Sequence, residues 1–88
     1  MTYKNIDVYT LIKPEVLKLR NIGVDTANLD CRLLLSISLR RPVSLYNHQN
    51  IFISQSEIAK FQSLIQQRLN GKPVSRIINR RNFLEKII

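Results

Sequence analysis

Asp25-Thr-Ala-Asn-Leu-Asp-Cys-Arg-Leu-Leu-Leu-Ser-Ile-Ser-Leu39 is the stretch that decides the fold of this chain. Leu29, Leu33, Leu34 and Ile37 recur at helical spacing, and Leu35 and Leu39 widen the stripe until apolar surface runs almost all round. Only Asp30, Arg32 and the serines interrupt it. A helix of that kind packs against several neighbours, so the segment predicts the central helix of a bundle. Asp25 or Thr26 can cap its start, because a short side-chain oxygen accepts from the N–H groups that open a helix. Arg40-Arg41-Pro42 ends it, since proline cannot continue the ladder.

Before this segment, Val8, Leu11, Ile12, Leu19 and Ile22 fall at near-helical intervals, with Gly23 placed to close the helix in a left-handed conformation. Pro14 lies inside that pattern, which predicts either a kink or a short helix followed by a second one opening near Lys13 and Pro14. After it, Val43, Leu45 and Tyr46 suggest one helical turn before a polar loop at 47–50. Ile51-Phe-Ile53 then leads into Ser54-Gln-Ser-Glu57, a serine three residues ahead of a glutamate, the pattern of a capping box. Ile58, Phe61, Leu64, Ile65 and Leu69 stripe the helix that follows, with Arg68 in its last turn, where a cation complements the carbonyl end of the dipole. Gly71 and Pro73 stop that helix, and Val74, Ile77 and Ile78 allow one or two further turns. Asn79-Arg-Arg-Asn82 then looks like a turn, with Phe83, Leu84, Ile87 and Ile88 near the end.

The expected fold class is therefore all-α: a small antiparallel bundle of four to five helices with a short irregular or extended C-terminal segment. The predicted core is Leu11, Leu19, Leu29, Leu33, Leu34, Ile37, Phe61, Leu64, Ile65 and Ile77. Eighty-eight residues bound this to a single domain with one modest core. With 44% hydrophobic residues, two glycines and three prolines, the composition is that of an ordered helical chain and excludes a low-complexity tail.

The formal charge of +8 is placed unevenly. Residues 68–88 hold Arg68, Lys72, Arg76, Arg80, Arg81 and Lys86 against one acid, Glu85, so +5 of the total lies there and +3 in the first 67 residues. Such a field favours an acidic partner: nucleic acid, an anionic membrane surface or an acidic protein face. The single cysteine, Cys31, cannot form an internal disulfide, which makes a cytoplasmic location the default, and no run approaches the length of a membrane span. No other His or Cys accompanies His48 and Cys31, so neither a metal shell nor a nucleophile–base relay can be assembled. His48 reads as a loop residue and Cys31 as a small buried hydrophobe.

Three stretches taken together resemble the N-terminal domain of the HemK/PrmC family, methyltransferases that modify the glutamine of the Gly-Gly-Gln motif in peptide chain release factors. The first is Ile22-Gly-Val-Asp-Thr-Ala-Asn-Leu-Asp-Cys-Arg-Leu-Leu-Leu35, similar to the family's glycine, then Leu-Asp-Ala, then a leucine run, with Cys31 in place of the alanine. The second is the helix from Ser54 to Arg68 preceded by a loop, and the third is Arg68-x-x-Gly71-x-Pro73 continuing through Ile77 to Arg81-x-Phe83. The chain departs from the family pattern at Lys72, at Ile78-Asn79 and at Asn82.

The resemblance implies a helical release-factor-recognition domain over 1–78 and, over 79–88, the start of a linker toward an absent C-terminal methyltransferase domain. It implies S-adenosylmethionine as cofactor of the full-length family but not of this fragment, because a glycine-rich loop and an Asn-Pro-Pro-Tyr motif cannot be built from Gly23, Gly71, Pro14, Pro42 and Pro73. No catalytic, cofactor-binding or metal-binding residue is therefore expected, and no methyltransferase activity from this chain alone. Arg68, Lys72, Arg76, Arg80 and Arg81 are the expected partner-binding residues, with a peptide chain release factor as partner and no membrane. Two alternatives stand beside this reading: a small basic helical module binding nucleic acid, and a diverged non-catalytic remnant. No aromatic residue interleaves the basic segment, which weighs against a single-strand platform.

Overall fold

The computed structural model describes residues 3–43 and 49–77. Its elements run β1 (Tyr3–Asp7), α1 (Val8–Asn21), α2 (Ala27–Leu39), β2 (Asn50–Ser54), α3 (Gln55–Leu69) and α4 (Val74–Ile77). The mostly helical architecture agrees with the sequence reading. The two strands are an addition to it, and they organise the bundle. They pair antiparallel with Ile6 opposite Ile51 and Lys4 opposite Ile53. Ile51 and Ile53 point inward while Phe52 faces solvent, the alternation that a pleated strand imposes.

Each strand runs without a break into a helix. Asp7 ends β1 and caps α1, its Oδ2 accepting from the Thr10 N–H at 3.1 Å. The Val8 N–H donates to the Gln49 carbonyl at 2.8 Å, so α1 is stitched to the opposite strand at its first residue. Ser54 ends β2 and caps α3. The Glu57 N–H donates to its Oγ at 3.3 Å and its own N–H donates to Glu57 Oε1 at 2.9 Å, the capping box expected from the sequence. Because the strands are antiparallel, α1 and α3 leave opposite ends of the same ribbon, separated by about 13 Å along four strand steps.

The helix stops share one geometry. At α1, the Gly23 N–H donates to Arg20 O at 3.0 Å and the Val24 N–H to Leu19 O at 3.1 Å, with Gly23 at φ +91°. At α3, Gly71 at φ +96° donates to Arg68 O and Lys72 donates to Gln67 O, at 3.0 and 3.2 Å. At α2, the same paired bonds run from Arg40 to Ile37 O and from Arg41 to Ser36 O, but the left-handed residue is Arg40, at φ 57°. All three are Schellman caps, which turn the otherwise unpaired last carbonyls inward.

Helices α1, α2 and α3 close on a core that includes Leu19, Leu34, Ile37, Phe61, Leu64 and Ile65 from the predicted set. Leu11 and Ile77 pack against this core half-buried, and Leu29 and Leu33 are likewise half-buried. The stripe on α1 is Val8, Ile12, Val16 and Leu19; Val16 joins the pattern read from the sequence, and Ile22, which fell at near-helical interval in it, is exposed. Pro14 does not divide the helix. It lies exposed on the solvent side, as does Thr10, so water can reach the Thr10 carbonyl that proline cannot serve, and one helix continues to Asn21. The expected turn at Leu45 and Tyr46, the loop residue His48 and everything from Ile78 onward, including the 78/79 boundary, lie outside the described residues.

Candidate functional site

The candidate basic surface begins where α3 ends. Gly71 reverses the chain, and Pro73 opens α4, its carbonyl accepting from the Arg76 and Ile77 N–H groups at 3.0 and 3.2 Å. Val74 and Ile77, three residues apart, turn toward the core, which leaves Ser75 and Arg76 exposed. Lys72, in the connection, is exposed as well. The structure thus presents Lys72 and Arg76 to solvent four residues apart, while Arg80 and Arg81 lie outside the described residues.

Arg68 is placed differently from Lys72 and Arg76. Its Nε donates to Asp30 Oδ2 at 3.1 Å, across from α3 to α2, and the two side chains keep only 18% and 10% of their surface in solvent. The other carboxylate oxygen, Oδ1, accepts from Thr26 Oγ1 at 3.1 Å. Thr26 is the N-cap of α2, yet its hydroxyl serves Asp30 and not the backbone, while its carbonyl accepts from the Asp30 N–H at 2.8 Å. Asp30 therefore ties the start of α2 to the last turn of α3. The polar residues that interrupted the apolar helix in the sequence are accounted for in the same way. Arg32, itself buried, donates from Nε to Asn28 Oδ1 at 2.8 Å, Ser36 and Ser38 donate back to the carbonyls four residues earlier at 3.0 Å, and Ser36 Oγ accepts from the Val43 N–H.

Cys31 is fully buried on α2. Burial first, then the charges of Glu15 and Asp30, push its thiol from 9.0 up to about 12, so it supplies no nucleophile near neutral pH. Among the described residues no group of three or more His, Cys, Asp or Glu side chains is gathered as for a metal ion, and no helix is long and apolar enough to cross a membrane.

Sequence reasoning missed a second exposed surface, on α1. Lys13 holds its ammonium 5.8 Å from the centroid of the Tyr9 ring, a cation–π contact, and Leu17 lies one turn further on, more than half exposed. The available signal was the spacing 9, 13, 17, which shares one helix face; reading Tyr9 as a scattered aromatic hid it.

Residues 16–78 match the family described as PrmC N-terminal domain. Over 80 residues the chain is 29% identical to a release factor glutamine methyltransferase of Aliivibrio fischeri, covering 90% of this chain and 28% of that protein. A bifunctional methyltransferase of Rickettsia prowazekii is 31% identical over 70 residues, 78% of this chain and 14% of its own length, and one of Rickettsia felis is 29% identical over the same length. The chain thus spans less than a third of the curated relatives it matches. No solved structure matches it.

Proposed function

The chain belongs to the PrmC N-terminal domain family, and from that premise we propose that it is the substrate-recognition part of a protein-glutamine methyltransferase acting on the Gly-Gly-Gln motif of peptide chain release factors. The observation that carries this reading is the extent of the family match, which runs from Val16 in the second half of α1 through α2, α3 and α4 and so takes in most of the helical core. The name of the Aliivibrio relative supplies the substrate class. Lys72 and Arg76 are exposed and basic, and the sequence adds Arg80 and Arg81 close behind them, while Arg68 holds α3 to α2 through Asp30. A basic surface raises the rate of encounter with an acidic partner and fixes its register. Holding the partner in one orientation turns a diffusive encounter into a positioned one, which by itself supports a large part of a transfer reaction.

The described residues do not fit S-adenosylmethionine. Gly23 and Gly71 are the chain's two glycines, and both are used at positive φ to end helices, so no glycine-rich loop is available for a close backbone approach to a cofactor. In this reading these residues bind and orient the release factor, in the cytoplasm, and contribute no transfer step.

A calorimetric titration tests the assignment. The chain is titrated with purified release factor and, separately, with single-stranded and duplex RNA, each at low and moderate salt. Association with the release factor that persists as salt is raised, beside RNA association that fades steeply, is the expected result. RNA as the sole partner would sink the assignment in favour of a nucleic-acid module.

A further inference from the structure

Five large hydrophobic side chains are exposed among the described residues, and three of them, Tyr9, Leu17 and Ile22, belong to α1 and its C-cap. Single exposed apolar residues are ordinary on a protein surface. A line of them on one face is less so. Residues 9, 13, 17 and 20 stand at helical spacings of four, four and three, so Tyr9, Lys13, Leu17 and Arg20 form one strip beside the buried stripe of Val8, Ile12, Val16 and Leu19. The strip alternates aromatic, cation, aliphatic, cation, with Tyr9 and Leu17 its two exposed apolar members.

From this we infer that the exposed strip of α1 is the apolar half of the release-factor contact, and that it receives an apolar side chain flanked by carboxylates on the partner's surface. The inference rests on the recognition function proposed above and adds to it a face and a partner chemistry. Charge complementarity selects the occupant. Apart from Glu15, half-buried and paired with Lys18 at 3.1 Å, α1 carries no acid, so Lys13 and Arg20 present uncontested positive charge on either side of Leu17. Leu17, 53% exposed at the centre of the strip, gains from burial only against another apolar group, which a phosphate backbone does not offer. The ring of Tyr9 already holds Lys13, so less freedom is lost when a carboxylate arrives there. Tyr and Arg beside a central aliphatic residue is also the composition of an interface anchor.

The same calorimetric titration with release factor, on the full chain, separates this inference from the functional reading beneath it. Leu17→Ala is expected to weaken association by about tenfold, with the loss unchanged at moderate salt because no charge is altered. Lys13→Glu and Arg20→Glu weaken it by a smaller factor that shrinks as salt rises. Helix content of each variant, read by circular dichroism, stays at the wild-type level because all three side chains are exposed. If the wild-type chain fails to bind release factor, both readings fall. If it binds and the three variants bind as tightly, the face is wrong and the recognition reading stands. Loss of RNA binding in Lys13→Glu and Arg20→Glu, with Leu17→Ala neutral, overturns the inference in favour of a phosphate-contacting helix.

Discussion

Removing the charge of Asp30 tests the ion pair that joins α2 to the end of α3. In Asp30→Asn the side chain keeps its shape and an oxygen able to accept from Thr26, so the change is confined to the ion pair with Arg68. At the observed 3.1 Å, two unit charges attract by about 5 kcal/mol at an effective dielectric of 20. Desolvation of both groups offsets much of that, and their residual exposure of 18% and 10% lowers the penalty for leaving Arg68 unpaired below that of a fully buried ion. The expected loss is about 2–3 kcal/mol, a large share of the roughly 5–15 kcal/mol that holds a small domain together. It corresponds to a fall in Tm of about 10–20 °C for a chain of this size. Urea unfolding followed at 222 nm measures it, and a cycle with Arg68→Met isolates the pair term, expected at about 1–2 kcal/mol. Additivity of the two single variants within about 0.5 kcal/mol would show that Asp30 and Arg68 do not support one another.

Three further outcomes follow from local geometry. Arg40 holds the left-handed position of the α2 cap at φ 57°, so Arg40→Gly should stabilise by about 0.5 kcal/mol, the relief of side-chain strain less the greater freedom of glycine in the unfolded chain; a loss in urea unfolding would contradict it. Ser54→Ala removes the acceptor for the Glu57 N–H and should cost about 1–2 kcal/mol by the same measurement, with a smaller loss for Glu57→Gln. Cys31 should resist a thiol reagent at pH 8 in the folded chain and react once urea is added. Its folded value, about 12, lies above the unfolded 9.0, so its stabilising effect is complete below pH 9 and is lost as pH rises toward 12. The alkaline loss is about 1 kcal/mol by pH 10, and unfolding at pH 8 and pH 10 should show it in the wild type and not in Cys31→Ala.

The parts of the fold that were legible in the sequence are those decided within a few residues. Ser54 and Glu57 face each other across one turn, and Gly23 and Gly71 stand where a left-handed residue closes a helix, so each feature carries its own signal. The sheet was not legible because its strands pair Tyr3 with Ser54 across most of the chain, and β1 offers a single aliphatic residue, Ile6, to announce it. The inward face of α1 was legible at Val8, Ile12 and Leu19 but not at Val16. Leu11 and Ile22 are as apolar as Val16, and only packing against α2 and the sheet decides that Val16 is buried, Leu11 half-buried and Ile22 exposed. Asp30 and Arg68 were each visible, one as an interruption in an apolar helix and one as a cation at a helix end, but their meeting spans 38 residues. No local pattern encodes that separation.

Arg68 changes what the chain's charge means for its partner. It stood among the six cations of residues 68–88, yet Asp30 neutralises it at close range, so among the described residues of that segment the field is carried by Lys72 and Arg76. Lys72 and Arg76 project from a connection and a single helical turn that Gly71, Pro73 and the half-buried Val74 and Ile77 hold against the bundle. At physiological ionic strength their reach is about 8 Å, enough to speed and orient an approach but screened once salt is added. The strip on α1 works over a shorter range, because burial of Leu17 depends on contact and is not screened. A partner drawn by the basic surface and held by the apolar one would lose on-rate with salt while keeping its off-rate, whereas a nucleic acid held by phosphate contacts alone would lose affinity steeply. Stopped-flow association and dissociation across a salt series distinguishes the two, since the dissociation rate in the first case stays flat and in the second rises with every increment.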